Sequence, residues 1–187
     1  MKHSSSTTIS TILLSLLLLF LTAHFTGTSA IPNTQGFQAT CKLAASANPV
    51  INYDFCVLTF ESEPKSGNAD ARGLANIAAL ISFTHSTDVT YNIQDLLSKL
   101  PDPATKSCLE QCMSLYESML NALPEAMDTI NLRDDEAAKG LLKTAIEESQ
   151  NCEAGFSNAG EASPLTQLNN NSVELNSMAL TILGFAN

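Results

Sequence analysis

Setting aside the N-terminal stretch, five cysteines and His85 are the side chains with the most distinctive chemistry to offer. Cys41 and Cys56 lie fifteen residues apart, Cys108 and Cys112 four apart, and Cys152 forty beyond Cys112. Thiols in this number pair oxidatively, hold a metal, or serve as nucleophiles. The metal reading is weak, because Cys108-x-x-x-Cys112 with one distant Cys152 has no partner histidine at ligand spacing. Nucleophilic or acid–base work needs two or three groups converging in a cleft. His85 stands in a polar stretch with no nucleophile motif near it, and Gly-x-Ser-x-Gly, His-Glu-x-x-His and a phosphate-cradling glycine loop are all missing. The residues therefore imply disulfides, no catalysis and no metal or cofactor, with His85 a surface side chain.

Disulfides need an oxidising compartment, and residues 1–30 supply the route. Lys2 and His3 precede an apolar run from Ile9 to Leu21, and Gly27, Thr28, Ser29 and Ala30 follow it. A basic start, a core of about 7–15 apolar residues and small residues at the cut define a signal peptide, here cleaved after Ala30. The run alone is shorter than the ~20 apolar residues of a membrane anchor. Removal leaves residues 31–187 as one domain, with eight basic against nineteen acidic residues and a net charge of −11. Such acidity argues against nucleic acid as a partner and suits either a basic protein surface or plain solubility. After cleavage no membrane association is expected, and the chain reads as a secreted monomer.

The elements that position these cysteines read as helices throughout. Apolar residues recur at three- and four-residue intervals, tryptophan is absent, and no Asn-Gly or Asp-Gly hairpin turn occurs. Residues 34–63 predict two short helices folded on each other, with Ala39, Leu43 and Ala47 forming one apolar stripe, a break at Asn48-Pro49, and then Ile51, Phe55 and Leu58. Short helices are marginal by themselves, so a Cys41–Cys56 bridge would fix the pair. After the turn-rich Pro64–Asn68 a long helix begins near Ala69, its apolar side carrying Leu74, Ile77, Ile81, Ile93, Leu96 and Leu100, with a weak and bendable stretch at Thr84–Thr90, and Pro101 and Pro103 end it. The next helix has the clearest seam: Leu109, Cys112, Tyr116, Met119, Leu123, Met127 and Ile130, with Pro124 inside it as an expected kink. Asp134 and Asp135 open a third, lined by Ala138, Leu141, Ala145, Ser149, Cys152 and Phe156, and Gly160–Pro164 closes it. The last helix, from about Leu168, carries Leu175, Met178, Ile182 and Ala186 inward. The fold class is all-α: over 69–187 an antiparallel four-helix bundle, with the 34–63 hairpin appended.

Cys112 and Cys152 fall on the core-facing sides of adjacent helices, so a bridge between them is natural. Periodicity also permits Cys108–Cys152. Five choices of odd cysteine and three connectivities for the remainder give fifteen arrangements, and sequence order does not select one. A spare thiol is a redox handle or, more simply, a small buried hydrophobe.

The same residues carry a resemblance. Thr40-Cys41-Lys42, the Asn52-Tyr53-Asp54-Phe55-Cys56-Val57 block, Pro64-Lys65-Ser66 with Ala69-Asp70 and Gly73-Leu74, Cys112 with Leu115-Tyr116, and Cys152-Glu153 with Gly155-Phe156 together resemble the plant invertase and pectin methylesterase inhibitors, and within them a subgroup of pollen allergens. The resemblance spans essentially the whole of residues 31–187. It implies the pairs Cys41–Cys56 and Cys112–Cys152, with Cys108 the free thiol. It further implies a non-catalytic protein that forms a one-to-one complex with a cell-wall or vacuolar carbohydrate enzyme and covers its substrate cleft with bundle helices.

The target is divided. The invertase-directed members carry Pro-Lys-Phe where this chain has Asp135, Glu136 and Ala137, and the pectin methylesterase-directed members carry Thr and Asp where it has Asn151 and Ala154. The loss of the invertase triplet tips the balance to pectin methylesterase, with invertase as the alternative and a non-inhibitory secreted scaffold as a further one. A lipid carrier would need a large apolar cavity, and the regular seams argue for a filled core. Opposite those seams run Glu110, Ser114, Glu117, Asn121 and Asp128 on one helix and Glu136, Lys139, Lys143, Glu147 and Gln150 on the next, the candidate contact residues or else a solvated face. Carboxylates there would meet a basic enzyme rim, so binding should weaken with salt and as pH falls through the ordinary carboxylate range near 4. Asn170-Asn171-Ser172 is a glycosylation sequon.

Overall fold

A computed structural model describes residues 35–186. The signal-peptide reading falls on residues 1–30 and so lies outside the described residues. Among the described residues the order is α1 (Gln35–Ala47), α2 (Tyr53–Glu61), the 3₁₀ turn Pro64–Asn68, α3 (Ala71–Ser98), α4 (Pro103–Leu132), α5 (Asp135–Ala159) and α6 (Thr166–Leu183), six α-helices with no strand.

Short polar side chains start most of these helices by accepting from backbone N–H groups that the first turn leaves without partners. Asn52 Oδ1 accepts from Phe55 N, Asp70 from Gly73 N, Asp102 from Ala104 N and Thr105 N, and Asp134 from Ala137 N. Pro103 occupies the first turn of α4, where its missing N–H costs nothing; it opens this helix as much as it ends the previous one. Two helices stop in left-handed residues: α4 at Arg133 (φ 63°) and α5 at Gly160 (φ 73°), each closed by a bond back to the last turn. Pro124 is accommodated within α4, which continues as helix on both sides of it.

Helices α3 to α6 pack in a ring, each against its chain neighbours and α6 back against α3, as an antiparallel four-helix bundle. The seam of α4 buries as its periodicity implies, with Leu109, Cys112, Tyr116, Met119, Leu123 and Ile130 inside, while Met127 is half-buried and Ala126 takes its place. Along α5 it is Leu142 that is fully buried, and Leu141 lies at the margin. The stretch Thr84–Thr90 does not interrupt α3. It turns Ser86, Val89 and Thr90 inward, so small side chains let the helices approach. Leu100 is 89% exposed in a left-handed conformation (φ 55°) after α3 has ended, not part of its apolar side.

The hairpin folds as expected but on another face. Ala39, Leu43 and Ala47 are exposed, and α1 instead buries Phe37, Cys41 and Ala44 against Ile51, Cys56 and Phe60 of the second arm. Leu58 is likewise exposed. Cys41 and Cys56 are bonded with Cα atoms 5.7 Å apart, and the Phe37 and Phe60 rings meet at 6.1 Å. The bridge faces the interior, so it selects the stripe that carries the cysteines over the competing one. Polar contacts then tie the hairpin to the bundle: Asn52 N donates to Glu174 Oε1 (2.7 Å) and Asn48 Nδ2 to Thr181 Oγ1 (3.3 Å).

Inside the bundle runs a polar chain that hydrophobic periodicity does not reveal. Ser82 donates to Asn176 Oδ1, Asn176 Nδ2 to the carbonyl of Ser172, and the Ser172 and Ser149 hydroxyls share a bond at 2.8 Å, linking α3, α6 and α5. Tyr116 of α4 donates to Asn169 Oδ1, whose Nδ2 donates to Glu153. Burial, eased by neighbouring hydroxyls, pushes the Tyr116 phenol up to about 12, so it remains a donor. Burial also pushes the Glu153 carboxyl upward, but donors from Thr166, Asn169 and Ser163 outweigh it and hold the group low.

Candidate partner-binding surface

Two long helices and one covalent link build the surface. Cys112 and Cys152 are bonded with Cα atoms 4.8 Å apart, closing α4 against α5 at a level where Gln111 also lies over Gly155. A Cβ at Gly155 would stand 2.9 Å from Gln111 Oε1, so the Gln111 side chain lies directly over this glycine. In the chain-entropy model a bridge closing forty residues contributes about 4 kcal/mol, and it fixes the relative register of the two outer faces. Cys108 is the free cysteine: it is buried, and its Sγ lies 3.6 Å from the Gly155 carbonyl.

On the outer side of α4, Glu110, Ser114, Glu117, Asn121 and Asp128 are exposed; on α5 so are Glu136, Lys143, Glu147 and Gln150, while Lys139 is half-buried. The polar side chains are partly held by their own helices. Ser114 donates to the Glu110 carbonyl, Asn121 to the Glu117 carbonyl, Lys106 Nζ lies 3.6 Å from Glu110, and Lys139 Nζ lies 3.5 Å from Glu136. Such exposed pairs are weak and do not remove the carboxylates from play. The face keeps five carboxylates against Lys139 and Lys143.

Between the two rows sits a residue that a search for exposed charge passes over. Glu148 is 9% exposed, its Oε2 has no hydrogen-bond partner, and burial raises its pKa against the lowering effect of the Ser118 hydroxyl. Its position at the α4–α5 seam was legible only as one more acidic residue.

The family-specific positions have their own fates. The Asp135 carboxylate receives two guanidinium bonds from Arg72, which also donates to the Ile130 carbonyl; the hydrogen bond from Arg72 holds Asp135 below the usual carboxylate range. Asp135 is thus a clasp between the starts of α3 and α5. Glu136 and Ala137 are exposed, as are Asn151 and Ala154 near the other end of α5. Asn170 is exposed on α6, but the sequon's Ser172 is fully buried in the polar chain. His85 departs from its expected place: it is half-buried, and its Nε2 lies 2.9 Å from the Leu168 carbonyl, a contact between α3 and α6. Burial lowers its pKa, against that contact and the charge of Asp88.

Among the described residues no group of three His, Cys, Asp or Glu side chains is placed to hold a metal, and no helix is long and apolar enough to cross a membrane.

Comparison with known proteins places this arrangement. The bundle resembles the crystal structure of a pectin methylesterase inhibitor from Arabidopsis thaliana, with TM-score 0.59 and 18% identity over 81% of this chain and 95% of that one. A protein of Platanus acerifolia named "Putative invertase inhibitor" is 35% identical over 146 residues, 78% of this chain and 82% of its own length. Pectinesterase inhibitor 8 of Oryza sativa subsp. japonica is 31% identical over 150 residues, 80% of this chain and 79% of its own. The sequence model of the family described as plant invertase/pectin methylesterase inhibitor matches residues 36–182, which takes in both disulfides and all six helices but their outermost residues, and the chain belongs to that family.

Proposed function

We propose that this protein is a non-catalytic inhibitor of a plant cell-wall carbohydrate enzyme, and that it works by laying the outer faces of α4 and α5 over the enzyme's substrate cleft in a one-to-one complex. The observation that carries this reading is an exposed, mainly acidic pair of helix faces locked in register by Cys112–Cys152. A rigid face loses little conformational freedom on docking, and clustered carboxylates steer toward a basic rim. Family membership, with relatives named for pectinesterase and for invertase inhibition, supports the same class of function. The protein is expected to act as a secreted monomer in the apoplast.

Pectin methylesterase is the preferred target, because Asp135 stands where invertase-directed members have the first residue of their triplet and is engaged by Arg72. The 35% identity to a protein named for invertase inhibition favours the second reading, with the vacuole then an alternative site of action. Titrating the purified protein against one pectin methylesterase and one acid invertase decides between them: loss of esterase activity at one equivalent is expected. The Glu117→Lys/Glu147→Lys variant should raise the inhibition constant about ten-fold or more, since two attractions become repulsions. Full potency in that variant would move the contact face elsewhere, and inhibition of neither enzyme would reduce the molecule to a silent scaffold.

A further inference from the structure

A cleft of about 540 Å³ opens on the other side of the molecule, between α2, α3 and α6. Because the bundle helices form the ring α3–α4–α5–α6, the α3–α6 edge lies opposite the α4–α5 edge. The volume falls within the ~300–1,000 Å³ of ordinary small-molecule sites. One wall is apolar, made of Phe55, Leu80, Ile81 and Leu175, and Leu80 remains 42% exposed.

The polar side of the cleft has one electrical sign. Glu63 and Asp88 line it, no lysine or arginine does, and neither carboxylate belongs to an ion pair among the described residues. Glu63 caps the 3₁₀ turn through Lys65 N, which leaves its second oxygen uncommitted. His85 also lines the cleft. Since the Leu168 carbonyl can only accept, His85 Nε2 is the protonated nitrogen, and in the neutral ring Nδ1 is an acceptor. Two carboxylates and an imidazole lining the same cleft as an aromatic and aliphatic wall ask for an occupant that carries positive charge and has an apolar body.

We infer that this cleft is a binding site for a small organic ammonium ion, a primary amine on an aromatic or aliphatic body, with Asp88 and Glu63 receiving the –NH₃⁺ group and Phe55, Leu80 and Leu175 covering the hydrocarbon. The site is independent of the inhibitory face. An occupant would touch α2 and the bundle together and so hold the hairpin in place.

The test uses the full chain and 2-phenylethylammonium as the probe, followed by calorimetry and by the His85 imidazole resonances, assigned against His85→Gln. Saturable binding that shifts His85 is expected, with 2-phenylethanol at least ten-fold weaker because it lacks the charge. Asp88→Asn should weaken the amine about three-fold or more, whereas Asp128→Asn, on the far side of the bundle and removing the same charge, should not. Asp88 is exposed and makes no side-chain hydrogen bond among the described residues, so its variant is expected to fold. Leu80→Lys, which places a tethered ammonium at the rim, should abolish binding, and a helical circular dichroism spectrum would show that the fold survives. Equal affinity for the amine and the alcohol, an equal loss from Asp128→Asn, or no saturable shift at His85 would each overturn the assignment. Neither arm depends on inhibition of any enzyme.

Discussion

The carboxyl of Glu148 lies between α4 and α5, one side near the Ser118 hydroxyl and the other facing no donor. Burial favours the protonated form, so the folded-state pKa is raised above the ordinary Glu value. The sign for stability follows: this group favours the fold below pH ~4.5, and that contribution is lost as pH rises through the folded-state pKa. Glu148→Gln should therefore raise the melting temperature at pH 7 by about 2 °C and leave it nearly unchanged at pH 4, read by calorimetry at both values. The exposed candidates Glu110, Glu117 and Asp128 were legible as outward residues because they lie opposite a regular seam. Glu148 was not, since one position along an amphipathic helix separates a solvated acid from a buried one, and the neighbour across the interface decides which it is. Asn169, Ser172 and Asn176 were hidden for a related reason: hydrophobic periodicity has no symbol for a polar residue whose partner lies on another helix.

At the scale of elements, the hairpin shows how a helix with two apolar stripes chooses between them. The sequence offers Ala39–Leu43–Ala47 and Phe37–Cys41–Ala44 on different sides of α1, and only the second brings a half-cystine to face its mate. Alanines mark a stripe poorly, because they bury little area wherever they stand. The hairpin rests on the bundle through a small contact and a few polar bonds, so its order relies on the Cys41–Cys56 link. A loop of fifteen residues is worth about 3 kcal/mol in the chain-entropy model. The double variant Cys41→Ser/Cys56→Ser should accordingly lose amide-exchange protection in α1 and α2 by about two orders of magnitude, while α4 and α5 keep theirs. Equal loss in all helices would mean that hairpin and bundle unfold as one unit.

For the whole molecule, the net charge of −10 couples solubility to recognition. If carboxylates on α4 and α5 meet a basic rim, the association rate with a sensitive enzyme should fall about ten-fold or more between 50 and 500 mM salt, with a smaller change in the dissociation rate; stopped-flow or surface-binding kinetics would read both. A salt-independent association rate would return the acidity to a solubility role.

Helical periodicity and capping residues were enough to establish an all-α chain, the order and approximate ends of its helices, and the seam of α4, because each depends on residues close together in sequence. The resemblance supplied the two pairings, which spacing alone left among fifteen. Tertiary structure decided the rest: the buried stripe of α1, the bond of His85 across α3 and α6, the capture of Asp135 by Arg72, and the cleft between hairpin and bundle. These depend on which side chain from a distant segment arrives opposite, and local pattern carries no record of that neighbour.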